Sequence, residues 1–167
     1  MAEKDTIIKE KVKYTGYGDF KDIYNFAYGW FKGEGFSVVE ELYNEKVKGE
    51  SKDIEMVWAT SKKLTDYFKA EVGLKWRILG MSDVEVEVDG KKKKMNKFNE
   101  IGIEIKGVLV RDYDSKWNKN VTSKFFKEVY NKYVIPARNK EMEGKIEGFV
   151  QDFKEEIKAL LELTGRK

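Results

Sequence analysis

The stretch Asp66–Gly80, DYFKAEVGLKWRILG, decides how the rest of the chain is read. Phe68, Ala70, Val72, Leu74, Trp76 and Ile78 fall on one side of an extended backbone, and Lys69, Glu71, Lys75 and Arg77 on the other. Successive side chains of a strand point to opposite faces, so this period of two predicts a strand with one dry and one wet face. Antiparallel sheets allow that asymmetry, whereas all-parallel sheets bury both faces.

Downstream, Ser82 to Val88 alternates again, Val84, Val86 and Val88 against Asp83, Glu85 and Glu87. Asp89-Gly90 is a hairpin signal, because both residues tolerate the positive φ that a two-residue turn requires. Such a turn places Glu87 opposite Lys92 and Glu85 opposite Lys94. It also places Lys91 and Lys93 opposite Val88 and Val86, so either the loop is longer or the hairpin tip projects beyond the core. A last strand, Ile101 to Tyr113, carries Ile101, Ile103, Ile105 and Leu109 on one face, with Gly107 read as a bulge.

Upstream, Thr6 to Tyr14 reads as a first strand with Ile8, Val12 and Tyr14 on one face and Glu10 interrupting. Gly16-Tyr17-Gly18 reads as a turn and Asp19 as a helix N-cap. Phe20, Ile23, Tyr24, Ala27, Trp30 and Phe31 then recur at helical spacing until Gly33 and Gly35. Phe36 to Lys48 is a strand of imperfect alternation, and Gly49-Glu50-Ser51 turns the chain into another that carries Ile54, Met56 and Trp58 on one face.

At the C-terminal end, Thr122 or Ser123 is read as a helix cap before the stripe Phe125, Phe126, Val129, Tyr130, Tyr133 and Val134. Pro136, the only proline, ends or kinks that helix. Ile146, Phe149, Val150, Phe153, Ile157, Leu160 and Leu161 continue a helical stripe up to Gly165. No linker composition and no repeat interrupts residues 1–167, which are read as a single domain. The expected fold is α+β: a curved antiparallel sheet of about seven strands, a short N-terminal helix and a long C-terminal helix kinked at Pro136.

The order strand, helix, six strands, long helix resembles the START-like or helix-grip superfamily, which includes the Bet v 1-type proteins. The resemblance lies in topology. It implies a curved sheet wrapped around the last helix, with an apolar cavity between them. The family pattern has two helices after the first strand where this chain has one, and a glycine-rich loop where this chain has the short turn at Gly49. Lys63–Tyr67, Met81–Val86 and Gly90–Lys97 (GKKKKMNK) also resemble an uncharacterised archaeal family of small proteins. That match implies a cytoplasmic setting and no assigned activity.

Composition narrows the chemistry. The chain is 41% apolar and 14% aromatic, which suits a packed core and not a disordered segment. It contains neither cysteine nor histidine. Thiolate nucleophiles, disulfides, zinc sites of the usual ligands and triads built on histidine are thereby excluded. Any enzyme would have to work with carboxylates, lysine, tyrosine or an oxygen-held cation. The near-balance of 33 basic against 30 acidic residues argues against a dedicated nucleic-acid binder. Met1 to Asp5 is polar, and no apolar run approaches the roughly 20 residues that span a membrane. The sequence therefore predicts a cytoplasmic, non-enzymatic protein with no cofactor and no metal.

Candidate binding residues form two sets. Trp30, Trp58, Phe68, Trp76, Phe149 and Phe153 are expected to converge between sheet and C-terminal helix, either as a packed core or as the wall of a pocket for an apolar small molecule or lipid. Gly144 and Gly148, one turn apart, would let a ligand or an indole come close to that helix. The second set is Lys91, Lys92, Lys93 and Lys94, either a soluble hairpin tip or an anion-binding patch for RNA, a ribosomal surface or an acidic partner. The interleaved lysines and aromatics of 117–133 belong to core spacing and make no stacking platform. Two carboxylate groups, Asp83/Glu85/Glu87 and Asp112/Asp114, are read as solvated, and Asn120-Val121-Thr122 as an idle glycosylation pattern.

Overall fold

The computed structural model describes residues 3–111 and 135–165. The Asp112/Asp114 pair, the Asn120 pattern, the cap at Thr122 or Ser123 and the stripe from Phe125 to Val134 lie outside the described residues. The elements are β1 (Glu3–Gly18), α1 (Phe20–Gly33), β2 (Ser37–Lys48), β3 (Ser51–Lys63), β4 (Phe68–Val88), β5 (Lys91–Arg111) and α2 (Ile135–Gly165). The strands form one antiparallel sheet in the order β1-β5-β4-β3-β2. The α+β class stands.

Among the described residues the sheet has five strands, not seven, because two apparent breaks are bends within continuous ladders. Leu79 pairs with Glu100 and Ser82 with Lys97, in one unbroken register on either side of Gly80. Gly80 reaches φ +61°, and its N–H leaves the ladder to donate to Asp53 Oδ1 at 2.9 Å. At the same level the β1–β5 register shifts between Tyr14 and Gly16, and the β3–β4 register between Lys52 and Ile54. Irregularities stacked across four strands curve a sheet. Gly16-Tyr17-Gly18, expected to turn, stays extended and pairs with Phe98, Lys97 and Asn96.

Alternation holds through the centre. Phe68, Ala70, Val72, Leu74, Trp76 and Ile78 are all buried, as are Ile101, Ile103, Ile105 and Leu109 on β5. Gly107 is not a bulge on its own strand, where it pairs regularly with Val72. The irregularity lies opposite, between Thr6 and Ile8 of β1. What Gly107 supplies is clearance: a Cβ there would stand 2.7 Å from Ile146, 2.9 Å from Ile8 and 3.0 Å from Val150. The helix rests directly on this backbone.

α1 forms where the sequence places it. Asp19 is extended at the N-cap and accepts from the N–H groups of Lys21 and Asp22. Ile23, Ala27 and Phe31 are buried, and the chain passes from edge strand β1 through α1 to the opposite edge, β2. On α2, Met142, Ile146, Val150, Phe153, Ile157 and Leu161 make one buried stripe at three- and four-residue spacing. Pro136 stands in the first turn of α2, where a missing N–H breaks no helical bond, so the expected kink is not found. Among the described residues no helix is long and apolar enough to cross a membrane.

Candidate functional site

The inward face of the sheet sorts the aromatic residues. Trp58 on β3 and Trp76 on β4 are diagonal neighbours, their rings 5.2 Å apart at 54°. Tyr24 and Tyr28, one turn apart on α1, set their edges against Trp58 at 5.0 and 6.4 Å. Glu40, directly opposite Trp58 on β2, accepts both the Trp58 indole N–H at 3.2 Å and the Tyr24 hydroxyl at 3.3 Å. Trp76 is fully buried, and among the described residues its indole N–H has no hydrogen-bond partner. A buried donor left unsatisfied costs about 1–3 kcal/mol.

A second cluster joins the two helices. Trp30 lies 5.2 Å from Phe153, Phe31 4.7 Å from Phe153, and Phe36 5.1 Å from Phe149. Trp30 and Phe149 are only partly buried and form its rim. Lys62 closes the rim: its ammonium sits 5.1 Å from the Phe149 ring and donates to the carbonyl of Glu34 at 2.7 Å.

All six expected residues share one core, Trp58, Phe68, Trp76 and Phe153 buried in it and Trp30 and Phe149 packed against it. Within it Trp58 carries the α1 tyrosines on one side and Trp76 on the other, while Trp30 and Phe153 join α1 to α2. Phe68 meets the Tyr67 ring edge to face at 5.0 Å. Gly144 and Gly148 lie on the exposed side of α2 with nothing within 4 Å of an added Cβ, so they open no path between helix and sheet.

Around this interior the titratable groups take fixed roles. Burial, followed by the Glu40 carboxylate, pushes the Tyr24 hydroxyl up from its ordinary value. Burial and a hydrogen bond to Glu45 push Tyr43 up to about 12. Both phenols stay protonated donors at neutral pH. Glu10, the acid that interrupts the apolar face of β1, accepts from Lys154 and Gln151 of α2, each at 2.9 Å. Those bonds hold its carboxyl below the ordinary range, the Lys154 bond contributing most. Sequence reasoning missed Glu40 and Glu10 as partners. The signal was an acid at an inward register position, which demands a partner from another element.

Lys91 to Lys94 are exposed at the end of the β4–β5 hairpin. Asp89 and Gly90 adopt φ of 53° and 77°, and Glu87 faces Lys92 and Glu85 faces Lys94, the register expected for a two-residue turn. Lys91 and Lys93 accordingly stand opposite Val88 and Val86. Asp83 accepts from the Asn96 amide, and among the described residues no three acidic side chains gather as a metal site.

Comparison with known proteins returns nothing for this chain: no family model, no curated protein and no solved structure matches.

Proposed function

We propose that the protein is a non-enzymatic binding protein that holds an apolar small molecule or lipid between the sheet and the helices, its one polar anchor the indole N–H of Trp76. The observation that carries this reading is the unpartnered donor at the centre of an otherwise apolar layer. Trp58, its ring neighbour, has the acceptor Glu40, and Trp76 has none among the described residues. A ligand with a carbonyl, ether or hydroxyl oxygen would supply the missing acceptor, while burial of its apolar part supplies affinity. Entry of a ligand would have to displace the half-buried Trp30 and Phe149 at the rim. The helix-grip resemblance supports the same reading, since a bent antiparallel sheet with the last helix across its inward face is the arrangement such folds use around a ligand.

The test is native mass spectrometry of the protein from its expression host, followed by denaturing extraction. The expected result is an apolar molecule released on unfolding, and its loss from Trp76→Phe with the fold retained. An apo mass that persists after incubation with a host lipid extract would sink the reading. So would a Trp76→Phe variant that keeps the molecule.

The exposed Lys91–Lys94 tip favours a second reading, a docking element for RNA, a ribosomal surface or another anionic partner. It calls for binding that weakens steeply with salt, whereas occupancy of the interior is insensitive to salt.

A further inference from the structure

The solvent face of the sheet carries a feature that the interior reading does not use. One cross-strand row runs through all five strands: Lys9 on β1, Lys106 on β5, Gly73 on β4, Ala59 on β3 and Val39 on β2. Lys9 and Lys106 stand directly opposite each other, both exposed. Like charges in that position destabilise a sheet. Their neighbours are neutralised, Lys4 by Glu71 at 3.4 Å, Lys11 by Glu104 at 3.9 Å and Lys13 by Glu100 at 3.8 Å. Among the described residues no carboxylate comes within ion-pair distance of Lys9 or Lys106. The fold thus holds two cations side by side with no carboxylate of the described residues paired to either.

Beyond Lys106 the row drops into a groove of about 490 Å³. Val57, Ala59, Gly73, Val108 and Val39 give it an apolar floor. Gly73 leaves its floor without a side chain, and an added Cβ there would meet nothing within 4 Å. A second depression, bordered by Lys9, Lys11, Glu104 and Lys106, adjoins it at Lys106. Three strand spacings separate Lys106 from Val39, roughly 14 Å. No exposed aromatic ring lies along the row, so it offers no stacking platform for a single-stranded nucleic acid.

We infer that this face is a second binding site, for a single-chain amphipathic anion: a carboxylate or phosphate head between Lys9 and Lys106, and an apolar chain laid across Gly73 and Ala59 toward Val39. The carboxylates bordering the head are engaged elsewhere, Glu104 with Lys11 at 3.9 Å and Glu10 with Lys154 and Gln151. Glu71 is tied to Lys4, and Glu41 borders the groove away from Lys106. The head removes the Lys9–Lys106 repulsion, and the chain covers apolar floor that water now wets.

The experiment is calorimetric titration of the full chain with dodecanoate below its micelle concentration, with dodecanol as the uncharged control. Dodecanoate should bind, more weakly as salt rises. Two exposed lysines are together worth about a three- to tenfold loss of affinity in the double variant Lys9→Gln/Lys106→Gln. Gly73→Val, whose Cβ has nothing within 4 Å and whose methyls enter the groove, should abolish this binding while circular dichroism shows an intact fold. Trp76→Phe should leave it unchanged, which separates this site from the interior one. The inference is overturned if dodecanol binds as tightly as dodecanoate, or if only Trp76→Phe abolishes binding. It is equally overturned if the monomer is ignored and the protein sediments with phosphatidylserine vesicles, since the face would then dock on a bilayer.

Discussion

Two adjacent rows of the same sheet, one on each face, are built to opposite rules. The inward row runs Glu10, Ile105, Leu74, Trp58, Glu40 across β1, β5, β4, β3 and β2. Its three central side chains are buried, and both terminal acids are answered, Glu10 by Lys154 and Gln151 of α2, Glu40 by Trp58 and Tyr24. The outward row, one residue along on each strand, runs Lys9, Lys106, Gly73, Ala59, Val39, and its two charges are unanswered. Inside, a polar group without a partner is expensive, so each acid is matched. Outside, water tolerates the mismatch and the fold has no need to correct it. The difference teaches where to look for binding: Trp76 on the first face and the directly opposed Lys9–Lys106 pair on the second, each without a partner among the described residues.

The sharpest way to break the comparison is Gly107→Ala. The new Cβ would stand at or within 3.0 Å of Ile8, Ile146 and Val150. Two of these are methyls of the helix and all belong to β-branched side chains that cannot swing away. Overpacking of this kind costs about 1–3 kcal/mol, read as a fall in the urea midpoint with an unchanged slope. An unchanged midpoint would mean that α2 does not rest on β5 at this point.

The inner face was legible in the sequence because local alternation writes it out. Phe68 to Ile78 announced β4, Asp19 announced α1, and Asp89-Gly90 announced the hairpin, whose register is the two-residue one of the two lengths the sequence left open. The strand count was not legible, since Gly80 interrupts the pattern of side chains without interrupting the ladder. Gly107 looked like a bulge because a sequence shows a missing side chain but not the helix that fills its place. Glu10 looked like a flaw in β1, its partners lying some 140 residues away at Gln151 and Lys154. The Lys9–Lys106 pair was equally invisible: each lysine is an ordinary surface residue until the β1–β5 register sets one against the other. Of the candidate pocket, the aromatic members of the one core could be named, but which rings meet depends on how the two helices pack on the sheet.

A smaller effect tests the inward row at its polar end. The Glu10 carboxyl has a folded-state pKa below its ordinary value of 4.5, because Lys154 and then Gln151 bind its charged form. A depressed carboxylate contributes stability that is fully present above the unfolded value and is lost as pH falls through the folded one. Between about pH 7 and pH 3 the parent should therefore lose stability that Glu10→Gln, having no charge to titrate, does not lose. Denaturant titrations of both proteins across that range check it. Parallel acid limbs would show that the ion pair between β1 and α2 contributes nothing in solution.

The smallest effect is the most diagnostic, because it repeats the first substitution on the other face. Gly73 and Gly107 are diagonal neighbours on β4 and β5, each in a strand interior, where glycine costs roughly 0.5–1 kcal/mol relative to alanine. Gly107 has the helix against it, and Gly73 has nothing within 4 Å. Gly73→Ala should therefore raise stability by about 0.5–1 kcal/mol, against the loss expected at Gly107, with thermal and urea midpoints moving in opposite directions for the same chemical change. If Gly73→Ala destabilises instead, something covers the outward row in solution, and the groove beside Lys106 is already occupied by the protein itself.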